Sequence, residues 1–123
     1  VSPNTGIPIH PAAGHFDSDI AREVGFPRAY DQGWMRTNWT AHMLTNWGGD
    51  MSFLRKLDMR LSAPNYVGQT TWCKGEVVRK YVEDGKYLVE IKCWAENEKG
   101  EITVKSNAIM QLPSRDPADR FEI

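Results

Sequence analysis

Two histidines and two aspartates stand near the start of the chain: His10, His15, Asp17 and, further on, Asp31. Imidazole gains and loses a proton near neutral pH, and beside a second titratable group it serves as acid and base in turn. Proton transfer is therefore the chemistry these residues offer. Each also has a plainer use. His10 lies in a proline-bearing stretch, where a solvent-exposed histidine is ordinary. Asp17 stands where a helix would take its N-cap. Asp31 follows Tyr30 in a loop, where both could pack or line a pocket. His10, His15 and Asp17 do not have metal-ligand spacing, and no metal is expected. Two cysteines, Cys73 and Cys93, make neither a disulfide framework nor a metal site.

The elements that must carry these groups follow from periodicity. Residues 1–14 hold prolines, glycines and no apolar period, so an extended arm is expected there, with Ile7 and Ile9 docking on a core edge. Asp17-Ser18-Asp19 predicts a capped helix start with carboxylates in its first turn. Ile20, Ala21 and Val24 supply the apolar face, Gly25 ends the helix and Pro27 forbids its continuation. A long helix is then predicted from Trp34 to Trp47, stopped by Gly48-Gly49. It carries one apolar stripe of Met35, Trp39, Met43 and Trp47 and another of Trp34, Ala41 and Leu44. A helix apolar on more than one side is expected to be buried on more than one side.

Beyond Gly49 the period changes from helical to alternating. Phe53, Leu57, Met59 and Leu61 form the apolar face of a first strand, with Arg55 interrupting it. Thr70 to Glu83, Tyr87 to Ala95 and Ile102 to Leu112 predict three more, with turns at Asp84-Gly85 and Asn97–Gly100. An antiparallel meander of four strands is expected. If Glu83 pairs with Lys86 and the register runs on unbroken, Cys73 faces Glu96 and Cys93 points to the opposite face; a bulge would shift this. One helix with two apolar sides needs more cover than four strands give. An upstream strand, or a second protomer joined sheet edge to sheet edge, is expected to supply it.

The chain has 123 residues, 41% hydrophobic and 25% charged, with a net charge of −1. That is one domain's worth of ordinary globular sequence. Lys and Arg are spread along it, so neither a nucleic-acid groove nor a membrane-surface patch is expected. No apolar run approaches the roughly 18 residues of a spanning helix, and no leader is visible, although the chain begins at Val1 rather than Met. A soluble, cytoplasmic protein is expected.

His15-Phe16-Asp17, Ala21, Gly25-Phe26-Pro27 and Gly33, in this order and spacing, resemble the MaoC-like family of hot-dog proteins, which includes the R-specific 2-enoyl-CoA hydratases. The likeness continues through Gly75-Glu76-Val77, Asn97, Gly100 and Leu112-Pro113-Ser114-Arg115, and covers residues 10–115. It implies an α+β fold: a single hot-dog domain over 15–113, its long central helix wrapped by a curved antiparallel sheet, between an arm (1–14) and a polar tail (114–123).

The resemblance also implies an activity, the reversible hydration of 2-enoyl-CoA to 3-hydroxyacyl-CoA. A base takes a proton from water, an acid delivers one to C2, and N–H donors hold the enolate-like thioester oxygen. His15 matches the family histidine. Gly33 matches the glycine whose N–H, at the start of the central helix, is the oxyanion donor. The family aspartate falls on His10, which makes His10 the candidate second proton-transfer group, with Asp17 and Asp31 as alternatives. Ala12-Ala13 replaces an Asn-Pro, Gln32 replaces a histidine, and Ala41 replaces a helix serine. Tyr30, Asp31 and Trp34 are the candidate substrate-binding residues, and Arg28 is a candidate for a coenzyme A phosphate. Coenzyme A enters as part of the substrate, and no separate cofactor is implied. The implied partners are the acyl-CoA thioester and a second hot-dog subunit, identical or related. The departure at His10 leaves two functions open: a hydratase or dehydratase, and a non-catalytic acyl-CoA-binding subunit that completes a heteromeric hydratase. A hot-dog thioesterase often has a carboxylate on the central helix, and residues 34–47 contain no Asp or Glu.

Overall fold

A computed structural model describes Gly6 and residues 13–115. A single 3-10 turn, Ala13–His15, leads into helix α1 (Ser18–Glu23) and the long helix α2 (Gly33–Gly48). Four strands follow: β1 (Phe53–Leu61), β2 (Thr71–Glu83), β3 (Lys86–Asn97) and β4 (Ile102–Gln111). Of the expected arm, Gly6, Ala13 and Gly14 are described, and Ala13 and Gly14 already belong to the turn that carries His15.

The short helix forms as its local sequence dictates. The Asp17 carboxylate accepts the N–H groups of Asp19 and Ile20 at 2.9 and 3.3 Å, which satisfies donors that the first turn leaves open. At the other end the Phe26 N–H bonds the Ala21 carbonyl and the Gly25 N–H bonds the Arg22 carbonyl. Those two bonds require a left-handed residue at Gly25, whose φ is 98°.

The sheet is antiparallel throughout, in the order β1-β4-β3-β2. The expected meander holds for β2-β3-β4. It fails for β1, which pairs with β4 at the far edge, so the connection 62–70 crosses from one edge of the sheet to the other. Three bulges reset the register. At Val78 the β2–β3 pairing slips by one, so Cys73 faces Ala95 rather than Glu96, and Gly75 faces Cys93. The two thiols therefore share a face, and both are free. At Arg55 an extra residue turns Leu54 toward the core instead of Phe53, which is why an arginine interrupts the alternation of apolar residues. The third bulge leaves Thr103 unpaired and buried in β4.

Helix α2 touches all four strands, the wrapped arrangement of a hot-dog domain. Its buried residues are Arg36, Thr40 and Leu44, spaced by four. Leu44 meets Val89, Ile91, Cys93, Ala108 and Met110 in the core, with Met43, Leu54, Leu57 and Leu112 alongside. The two predicted stripes are thus corrected: Leu44 is the one fully buried member, while Trp34, Met35 and Trp47 stay exposed. An arginine takes a core-facing position because polar partners await it there. Among the described residues no helix is long and apolar enough to cross a membrane.

Candidate active site

His15 ends the 3-10 turn and is half-buried. Its Nδ1 lies 3.0 Å from the Tyr30 carbonyl oxygen. A carbonyl only accepts, so Nδ1 carries the hydrogen and Nε2 of the neutral ring keeps its lone pair. The ring stands edge-on to Tyr30 at 4.6 Å between centroids, and Phe26 packs on the same Tyr30 ring at 4.3 Å. The Tyr30 N–H donates to the Gly14 carbonyl. A side chain at Gly14 would press on the Tyr30 ring at 3.2 Å, so close contact of the two segments depends on this glycine. The histidine-bearing turn is thereby strapped to the loop that leads into α2.

That loop ends at Gly33, the first residue of α2. The N-cap position is Gln32, which makes no side-chain cap; its Oε1 accepts the Trp34 indole N–H instead. Among the described residues no acceptor takes the Gly33 N–H. The amide thus sits at the positive end of a sixteen-residue helix with its hydrogen uncommitted, a ready donor for a developing anion. Leu61, at the end of β1, covers the glycine so closely that a Cβ would lie 2.5 Å from its Cδ1.

Between Tyr30 and Gly33 lies Asp31, 7% exposed. Its Oδ2 accepts the Arg36 Nε–H at 2.6 Å and the Asn65 amide at 3.2 Å, and its Oδ1 accepts the Asn65 backbone N–H at 2.9 Å. The carboxylate faces into the protein and has little capacity left. Arg36 also donates to the carbonyls of Ala63 and Thr103. Arg36 and Asn65 carry no expected site role, and Leu61 is expected only on the apolar face of β1. A signal existed for Arg36: it is the only Lys or Arg of α2, on a helix otherwise made of apolar and neutral polar residues and one histidine.

The structure sets His15 against Tyr30, in the loop that also carries Asp31 and leads to Gly33. Trp34, 71% exposed, flanks the glycine. Asp17 is occupied as a helix cap. Arg28 donates to the Val67 carbonyl from an exposed position. His10 lies outside the described residues. Burial pushes both thiols up: desolvation is the cause at Cys73 and the largest cause at Cys93, where nearby Ser106 opposes it and Cys73 adds to it. Neither is poised as a thiolate nucleophile. No group of three His, Cys, Asp or Glu side chains with metal-ligand geometry exists among the described residues.

No family model and no curated protein matches the chain. Solved structures do. The chain is 25% identical to a chain of the ChsH1-ChsH2 complex from Mycobacterium tuberculosis, covering 80% of this chain and 74% of that one, with a TM-score of 0.70. It is 19% identical to the (R)-hydratase from A. caviae involved in PHA biosynthesis (83% and 76% covered, TM-score 0.74). It is 18% identical to a MaoC-like dehydratase from Rhodospirillum rubrum (84% and 75% covered, TM-score 0.71).

Proposed function

We propose that this chain, which has the MaoC-like hot-dog fold, processes acyl thioesters, and that its reaction is the reversible hydration of 2-enoyl-CoA to 3-hydroxyacyl-CoA. What supports this is a histidine whose Nδ1 is held by the Tyr30 carbonyl, leaving Nε2 free, and an uncapped amide at Gly33, three residues after that carbonyl in the same loop. In the hydration direction, His15 Nε2 takes a proton from water as the water oxygen bonds C3. The C2=C3 electron pair moves toward the thioester carbonyl, whose oxygen is held by the Gly33 N–H. A proton then arrives at C2, from His15 or from His10, the second proton-transfer group. Trp34 lies along the acyl chain, Tyr30 backs the imidazole, and coenzyme A enters as part of the substrate.

A second reading has its own observation. Asp17 is a cap and Asp31 is spent on Arg36 and Asn65, so among these two neighbours of the site no free carboxylate stands beside His15. On that reading the chain is the acyl-CoA-binding subunit of a heteromer with a related hot-dog chain. The surface supports a partner under either reading. The 13-residue edge strand β2 exposes Val77, Val78 and Val82. Beside it an apolar crevice of about 110 Å³ opens between Met43 and Trp47 of α2 and Gly75 and Val77 of β2. Charged residues flank these valines, but the outer backbone groups of β2 are open to pairing with another chain.

The test is loss of the conjugated thioester absorbance with a panel of trans-2-enoyl-CoA substrates. Turnover by the wild type that disappears in His15→Ala sustains the hydratase reading. A folded, inactive wild type that gains turnover only with a related hot-dog chain supports the second. Inactivity in both settings removes both.

A further inference from the structure

We propose that Asp31 is a positioning residue, whose buried pair with Arg36 and two-point grip on Asn65 set the His15 imidazole against the Gly33 amide. This rests on the reading of His15 and Gly33 as the reacting groups. Asp31 occupies the short stretch between the atom that orients one, the Tyr30 carbonyl, and the other, the Gly33 N–H. Whatever holds Asp31 holds the loop that carries both the Tyr30 carbonyl and the Gly33 amide.

The hold comes from two residues, Asn65 and Arg36, each anchored in turn. The Asp31 N–H donates to the Asn65 carbonyl at 2.8 Å while Oδ1 accepts the Asn65 N–H, so the two residues grip each other by backbone and side chain. Asn65 is in turn fixed by Thr71, whose hydroxyl donates to its Oδ1 at 3.1 Å at the start of β2. Arg36, 6% exposed, reaches across to the Ala63 carbonyl at 2.6 Å and to that of the bulged Thr103 at 3.3 Å. The Thr103 carbonyl also takes the Ser62 N–H. One buried charge pair therefore ties the loop before α2, the first turn of α2, the crossing connection and a bulge in β4. A buried ion pair seldom adds net stability over an apolar pair of similar size, and its best-attested use is to specify one arrangement. Here the arrangement specified is that of the two candidate reacting groups.

The test reads geometry directly, so it does not depend on turnover. Ring nitrogens of His15 and the Gly33 amide are followed by ¹⁵N NMR in the wild type, Asp31→Asn and, as a control for general loosening, Leu44→Ala. The wild type is expected to show protonated Nδ1. In Asp31→Asn the His15 ring moves to a mixture of tautomers and the Gly33 amide resonance shifts, while Leu44→Ala leaves both in place. If Asp31→Asn does not fold, the double variant Asp31→Leu/Arg36→Met, which leaves no charge unpaired, carries the same expectation. Displacements equal in Leu44→Ala, or absent in every folded Asp31 variant, would overturn the proposal. Where wild-type turnover exists, Asp31→Asn is expected to lower kcat by roughly 10²-fold with KM little changed. NMR displacements as expected in a protein without turnover would leave the positioning role standing and count against the hydratase reading alone.

Discussion

The Nδ1 of His15 and the carbonyl oxygen of Tyr30 lie 3.0 Å apart, although fifteen residues separate them in the chain. That contact decides which nitrogen of the ring is free. His15→Gln is therefore expected to abolish turnover on 2-enoyl-CoA, because a side-chain amide can keep a hydrogen bond to the Tyr30 carbonyl but cannot cycle a proton. An assay in which His15→Gln retains more than about a tenth of wild-type kcat would remove His15 from the chemistry; general acid–base groups are worth about 10²–10⁴-fold.

Gly33 and Leu61 form a second pair that can be tested. A Cβ at Gly33 would stand 2.5 Å from Leu61 Cδ1. Leu61 is half exposed and the clashing atom is the end of its side chain, so Gly33→Ala is expected to cost less than the about 1–3 kcal/mol of overpacking a closed core. Leu61→Ala in the same chain should return part of that loss. Urea unfolding of the two single variants and the double one measures the coupling; strictly additive costs would mean that the two side chains do not meet.

The Asp31–Arg36 pair carries a stability prediction distinct from its positioning role. Removing one partner strands a buried charge, so Asp31→Asn and Arg36→Met are each expected to cost about 3–5 kcal/mol. The double variant Asp31→Leu/Arg36→Met is expected to recover part of that loss, the remainder being the buried Asn65 N–H left without its acceptor. Equal losses in the single and double variants, read from denaturant midpoints, would show that charge pairing is not what matters there.

Cys93 predicts a pH dependence. Burial, the largest cause, raises its folded-state pKa above that of an ordinary thiol. The unfolded chain then loses this proton at a lower pH than the folded one. The contribution is fully present below the unfolded pKa and is lost as pH rises from there through the folded value. Unfolding midpoints measured from neutral to alkaline pH should fall, and fall less steeply in Cys93→Ala. An identical slope in both proteins would rule out the thiol as the cause.

The edge of the sheet makes a prediction about assembly. Val77 of β2 and Trp47 of α2, 52% exposed, line the same crevice. The wild type is expected to sediment as an assembly of hot-dog chains, and Val77→Lys or Trp47→Lys to shift it toward the mass of a single chain. A wild type that stays monomeric at high concentration, and takes up no related chain, would sink the idea that this edge is an interface.

Much of this fold could be read from the chain because its signals are local. The cap at Asp17, the left-handed stop at Gly25 and the hairpin turn at Asp84-Gly85, with φ of 51° and 75°, each depend on residues a few positions apart. The length of α2 and the number of strands follow from periodicity in the same way. Family likeness pointed to His15 and Gly33. What the sequence could not show was every relation made at long range. No local signal places β1 beside β4, because neighbours in a sheet are chosen by which edges meet once the helix is covered. The bulges at Arg55, Val78 and Thr103 are single extra residues, invisible to a period of two, yet each turns the side chains that follow it to the other face. The face of α2 that packs inward differs from the expected stripes for a related reason. Burial of Arg36 is favourable only where Asp31, Ala63 and Thr103 converge on it, and those residues come together only when loop, helix, connection and bulge are folded against one another.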